Sequence, residues 1–236
     1  MLSDNRTNNY FGIIFGEVAK YYQYLSIIYS RYLPQSERYI SSIKAQLDRD
    51  AMRGDASWTM TAEEMAEYNL HQQQQTKLLL DLESFYLFSA IFLDRIAAST
   101  QYYFGPGQHN KQWGTFYSME KYFSGYAQNK ELGIPSKDLI DKMAWLYENV
   151  SSFRNNFLSH KHEKDQNIRS LFGLGFSHEA GGVYFSMGQM YPSEGEASII
   201  AKKPAEIISV LNEFVEEWLG YVESNRAYRE LVPPKA

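Results

Sequence analysis

The sequence predicts a mainly helical protein, one domain over residues 1–236, with a small β-hairpin set in at about 168–190, before the last helix. Three observations carry that expectation. Apolar residues recur at steps of three and four through most of the chain, the period of one α-helical face. Strict two-residue alternation is confined to a single stretch, between Phe172 and Met187. No internal repeat and no linker long enough to separate domains interrupts the 236 residues, a length that can bury a core without covalent staples.

The first helix spans about 7–33. Phe11, Ile14, Val18, Tyr21, Leu25, Ile28 and Tyr32 form its stripe, and Pro34 is expected to end it, since proline lacks the amide an inner turn needs. A thinner stripe, Ile40, Ile43 and Leu47, gives a second helix over about 36–53, which Gly54 to Ser57 breaks. Thr61 and Glu64 then have the spacing of a capping box, in which each side chain satisfies an amide near the other. From there to about Phe104 no strong breaker occurs. Leu78, Leu82, Phe85, Phe92 and Ile96 keep the helical step, and apolar residues lie nearly all round between Phe85 and Leu93, as in a helix at the centre of a bundle.

Gly105, Pro106 and Gly107 read as a turn, and a short helix follows over about 114–129. Ser136 is a good N-cap, with Asp138 in the first turn to meet the helix dipole. The helix it opens, 136–159, has the most regular stripe in the chain: Leu139, Met143, Leu146, Val150, Phe153 and Phe157, stepping four and three alternately. The next position on that seam is His160. After a charged loop, Phe172, Leu174 and Phe176 alternate, residues 179–182 turn, and Val183, Phe185 and Met187 alternate again. Pro204 sits where proline starts a helix, and Ile208, Leu211, Phe214, Val215, Trp218 and Val222 supply its apolar face. Residues 231–236 are expected to fray.

Composition narrows the chemistry. Cysteine is absent, which excludes disulfides, thiolate metal sites and a cysteine nucleophile. The N-terminus lacks the basic and apolar regions of a signal peptide, and the most apolar run, Phe85 to Leu93, is far shorter than the roughly 20 residues of a membrane span. The expectation is a cytoplasmic protein with no membrane contact. A net charge of −5 makes a poor general binder of polyanions, so any nucleic-acid contact has to be local.

The candidate site lies at the end of the helix 136–159. Arg154, Asn155, Asn156 and Ser159 crowd polar groups onto its last two turns, and His160 takes a core position. A histidine there has an ordinary explanation, because its charge suits the negative end of a helix dipole. The seven residues from Arg154 to His160, with Asn155 directly after the arginine, nevertheless resemble the motif of the HEPN superfamily (higher eukaryotes and prokaryotes nucleotide-binding). The resemblance implies an up-and-down helical bundle with the motif late in a helix. It also implies a metal-independent RNase acting as a homodimer, without cofactor, of the kind found in toxin–antitoxin, phage-defence and CRISPR systems, with an antitoxin or other protein partner. One departure stands out. Some members carry a tyrosine two residues after the motif histidine, a target for nucleotidylation, and here that residue is His162.

The residue types suit the implied chemistry. RNA carries its own nucleophile, the 2′-hydroxyl, so an enzyme need only move protons and steady the negative charge on phosphorus. Histidine titrates near neutrality and suits the first task; arginine, always charged and forked, suits the second. Products would end in a 2′,3′-cyclic phosphate and a 5′-hydroxyl. Six residues along an α-helix set two side chains roughly 120° apart and about 9 Å along the axis. Either the helix unwinds, or the arginine curls round, or the working pair comes from two subunits. Asn156, four residues before His160, can orient the imidazole, and Asn155 can contact phosphate. Glu83 and Asp94 are the acidic candidates on the central helix. Glu83 has two readings, a buried carboxylate paired with Arg154 or Arg95 and a partly solvated helix charge paired locally with Arg95, and Asp94 is expected to be the second of these. Two other readings differ in class: a non-catalytic HEPN-like module binding nucleotide, RNA or a protein partner, and, more weakly, a metal-dependent hydrolase using His160, His162, Glu163 and Asp165.

Overall fold

The computed structural model describes the backbone of residues 2–53, 59–106, 113, 115–155, 172–176, 183–187 and 202–231. Of these, all side chains are described except those at 2–11, 47, 53, 172–176 and 183–187. The chain is mainly helical. Its elements are α1 (Leu2–Arg53), α2 (Ala62–Phe104), α3 (Phe116–Asn129), α4 (Lys137–Leu146) running into a π-helical segment (Tyr147–Ser152), and α5 (Pro204–Ser224) with a 3-10 turn (Arg226–Tyr228). Two short strands, β1 (Phe172–Phe176) and β2 (Val183–Met187), pair antiparallel with Phe172 opposite Met187 and Phe176 opposite Val183. Most of the expected elaboration at 168–190 otherwise falls outside the described residues.

One expected boundary is absent. Pro34 lies inside α1, which runs on to Arg53. Pro34 and Ser30 both face solvent, so water can take the carbonyl of Ser30 that the missing amide leaves free, while Tyr32, Ser36 and Tyr39 keep the buried face intact. Other local signals do set boundaries. The Thr61 amide donates to Glu64 Oε2 at 2.8 Å and the Glu64 amide to Thr61 Oγ1 at 3.3 Å, closing the capping box. Ser136 caps α4 by accepting from the Leu139 amide at 3.0 Å.

The residues group into two compact units. In the first, formed by described residues within Met1–Leu25, Tyr86–His160 and Glu206–Ala236, the core is helix on helix. Phe92, Leu93 and Ile96 of α2, Phe116, Met119 and Phe123 of α3, Leu139, Met143 and Leu146 of α4, and Ile207, Leu211, Phe214 and Trp218 of α5 are buried. Edge-on rings join α3 to α5, Phe116 to Phe214 at 5.7 Å and Phe123 to Tyr221 at 5.3 Å. Trp218 donates its indole N–H to Thr100 Oγ1 at 2.9 Å, so the largest core side chain leaves no polar atom unpaired. The C-terminal strap returns to the end of α2. The amide of Glu230 donates to the Tyr103 carbonyl at 2.9 Å, and Lys130 pairs with Glu230 at 2.7 Å.

In the second unit, within Ser26–Phe85 and Lys161–Ala205, polar pairs link α1 to α2 in descending order: Arg31 with Asp81, Gln46 with His71 at 3.1 Å, Arg49 with Glu67 at 2.7 Å. That order makes the two helices antiparallel. The Asp81 carboxylate is 4% exposed and held by both Nε and a terminal nitrogen of Arg31, a two-pronged pairing that suits a buried charge. No helix among the described residues is long and apolar enough to cross a membrane.

Candidate functional site

The helix that carries Arg154 does not stay α-helical. After Leu146 it widens to π winding through Tyr147–Ser152, and residues 154 and 155 are again π. A π turn adds a residue per turn, leaves carbonyls short of their usual amides, and recurs at functional sites. Here the side-chain amide of Asn149 donates to the Trp145 carbonyl at 2.9 Å. The widening brings two adjacent residues, Val150 and Ser151, into the interior together. The Ser151 hydroxyl finds no hydrogen-bond partner among the described residues. Beyond it Phe153 is buried and packs on Tyr86 of α2, ring centroids 4.6 Å apart at a 41° tilt, which anchors the helix one residue before Arg154. The even helix expected over 136–159 is thus corrected: its seam residues are buried from Leu139 to Phe153, but the winding beneath them changes.

Arg154 and Asn155 are both half-buried, and Arg154 Nε donates to Asn155 Oδ1 at 3.0 Å. That bond uses one edge of the guanidinium and leaves its terminal nitrogens without an ion pair among the described residues. Asn156, His160 and the weaker metal candidates His162, Glu163 and Asp165 lie outside the described residues.

Of the two acidic candidates, Asp94 belongs to the surroundings of Arg154. It is half-buried on α2, and its Oδ1 accepts the Phe116 amide at 2.7 Å. The carboxylate therefore caps α3, whose own N-cap residue, Thr115, makes no side-chain cap. Burial pushes its pKa above the usual carboxylate value, and the Phe116 amide and the positive charges of Arg154 and Arg95 draw it back. The expectation of a partly solvated charge beside Arg95 understated this role. Nothing in the sequence showed that a carboxylate from another helix takes the amide.

Glu83 is exposed, which overturns the buried reading and leaves the solvated helix charge. Helical geometry gives the reason. Leu80, Glu83 and Leu87 lie on one face of α2, and all three are exposed, whereas Leu82, Phe85 and Tyr86 occupy the buried face. Arg95, its expected local partner, lies 3.7 Å from Glu17. No protein-family model matches the chain, and no curated protein or solved structure matches it either.

Proposed function

We propose that the chain is a metal-independent endoribonuclease of the HEPN type, a cytoplasmic homodimer acting as a toxin or phage-defence effector under the control of a protein partner. The observation that supports this reading best is the setting of Arg154. Its guanidinium is half-buried at the end of a π-widened helix, oriented through Nε by Asn155, with Asp94 near enough for the two charges to interact. An always-charged fork held in that way suits a phosphate whose charge rises in the transition state.

In this reading His160 takes the proton from the 2′-hydroxyl, whose oxygen attacks the adjacent phosphorus. The bond from phosphorus to the 5′-oxygen breaks, and that oxygen leaves with a proton. Arg154 steadies the phosphorane oxygens, Asn155 holds the guanidinium and contacts phosphate, and Asn156 orients the imidazole. Two motifs meeting across a dimer remove the difficulty that residues six apart on one helix do not share a face.

The test is incubation of purified protein with mixed RNA in EDTA, beside Arg154→Ala and His160→Ala variants. The expected result is cleavage in chelator, reduced on the order of 100-fold or more in each variant. Cleavage abolished by EDTA would sink metal independence. A wild-type protein that cuts nothing yet binds RNA would instead be the non-catalytic module, a reading the net charge of −5 also accommodates.

A further inference from the structure

One surface of the first unit combines open aromatic rings with a cation that no acid neutralises. On α3, Tyr117 and Tyr122 are 43% and 54% exposed. Lys121 stands between them, its Nζ 5.6 Å from the Tyr117 ring centroid and 5.4 Å from that of Tyr122, and it donates to the Tyr117 hydroxyl at 3.3 Å. Tyr147, the first residue of the π segment, sets its ring 5.2 Å from Tyr117 at a 35° tilt. No ion pair joins Lys121 to Glu120, Glu148 or any other carboxylate among the described residues. Elsewhere on the unit Lys20 pairs with Glu17, Lys130 with Glu230, and Lys142 with Asp138 and Glu217.

The surface is tied to the candidate site through the backbone. Tyr117 follows Phe116, whose amide Asp94 holds, and Tyr147 begins the π segment that ends at Ser152, two residues before Arg154. A single-stranded nucleic acid needs this combination: flat apolar faces for unpaired bases and a positive charge for the backbone between them. On an acidic chain, binding has to come from such a local arrangement, because the overall field repels the strand.

We propose that Tyr117, Tyr122 and Tyr147, with Lys121 among them, form a stacking platform for unpaired bases of single-stranded RNA, beside Arg154. This rests on the reading of the protein as an RNA enzyme or RNA-binding module, and it adds the surface that receives the bases.

Fluorescence anisotropy with a short labelled oligoadenylate tests the platform by binding alone, without requiring cleavage. Wild type is expected to prefer the single strand to the same strand annealed to oligouridylate. Tyr117→Ala and Tyr122→Ala should each weaken single-strand binding roughly tenfold, while Tyr117→Phe and Tyr122→Phe, which keep the ring, stay near wild type. Lys121→Ala should flatten the dependence of log affinity on log salt by about 0.7. Both tyrosines are exposed, so the alanine variants are expected to keep the wild-type circular dichroism and melting temperature. Wild type that binds no single strand, or alanine variants that bind as wild type does, would overturn the platform and leave this face to a protein partner. Single-strand binding that depends on the tyrosines, in a protein that never cuts, would uphold the platform while removing the nuclease reading. Cleavage unchanged in the tyrosine variants would do the reverse.

Discussion

Asp94 ties the core to the candidate site. Its carboxylate caps α3, and its pKa is raised chiefly by burial. A carboxylate with a raised folded pKa holds its proton in the native state after the unfolded chain has released it. It therefore favours the fold at low pH, and that contribution is lost as pH rises through the window from the ordinary aspartate value to the raised one. In Asp94→Asn the melting temperature should fall less than in wild type as pH rises through that window. At neutral pH the variant tests the cap itself, since the asparagine oxygen can still accept from Phe116. Asp94→Ala, which cannot, should cost about 1 kcal/mol. Identical pH profiles for wild type and Asp94→Asn would show that the carboxylate is not perturbed as described. Thr100 offers a second test at this scale. Thr100→Val strips the acceptor from the buried Trp218 indole, an expected loss of about 1–3 kcal/mol, or a few degrees or more in melting temperature for a chain of this size.

At the scale of elements, two features depart from regular helix, and each has a physical cause. The exposed Pro34 is absorbed by α1 because the bond it removes faces water. The π segment buries the Ser151 hydroxyl without a partner among the described residues. Ser151→Ala is therefore expected to leave stability unchanged or raise it slightly, since it removes a polar atom that gains nothing by burial; a drop of several degrees would mean the hydroxyl is bonded after all. In the second unit, Arg31→Ala leaves the Asp81 carboxylate buried and unpaired, and a loss of about 2 kcal/mol or more is expected in denaturant unfolding. At the end of α2, Gly105 has φ of 84° and a β-carbon there would lie 2.0 Å from Glu230 Oε2. Gly105→Ala combines left-handed strain with displacement of the strap, at an expected cost of about 1 kcal/mol or more.

On the scale of the whole molecule, the helical character was legible because the stripes from Val18 to Tyr32, from Leu78 to Ile96 and from Leu139 to Phe153 fix helix type by period alone. Caps at Thr61 and Ser136 fixed starting points because they are local hydrogen bonds between near neighbours. Winding and long-range pairing were not legible. Nothing in the sequence distinguishes π from α at Tyr147, and the Asp94–Phe116 bond joins residues on different helices. The sequence left two readings open for Glu83 because a helix that is apolar nearly all round hides which face is outermost. The residue types of Arg154, Asn155 and Asp94 made them candidates in the sequence, but the bond of Asp94 to the Phe116 amide and the approach of Lys121 to the Tyr117 and Tyr122 rings depend on packing that no local pattern encodes.

The reading stands or falls on whether the attacking group belongs to the RNA. An oligonucleotide with a single ribose in an otherwise deoxyribose strand should be cut in EDTA only on the 3′ side of that ribose, leaving a 2′,3′-cyclic phosphate, and Arg154→Ala should abolish the cut. Cleavage that persists when that one ribose is replaced by deoxyribose, or product ends carrying a 5′-phosphate, would mean that water attacks instead and that the Arg154–His160 pair does not work in the way proposed.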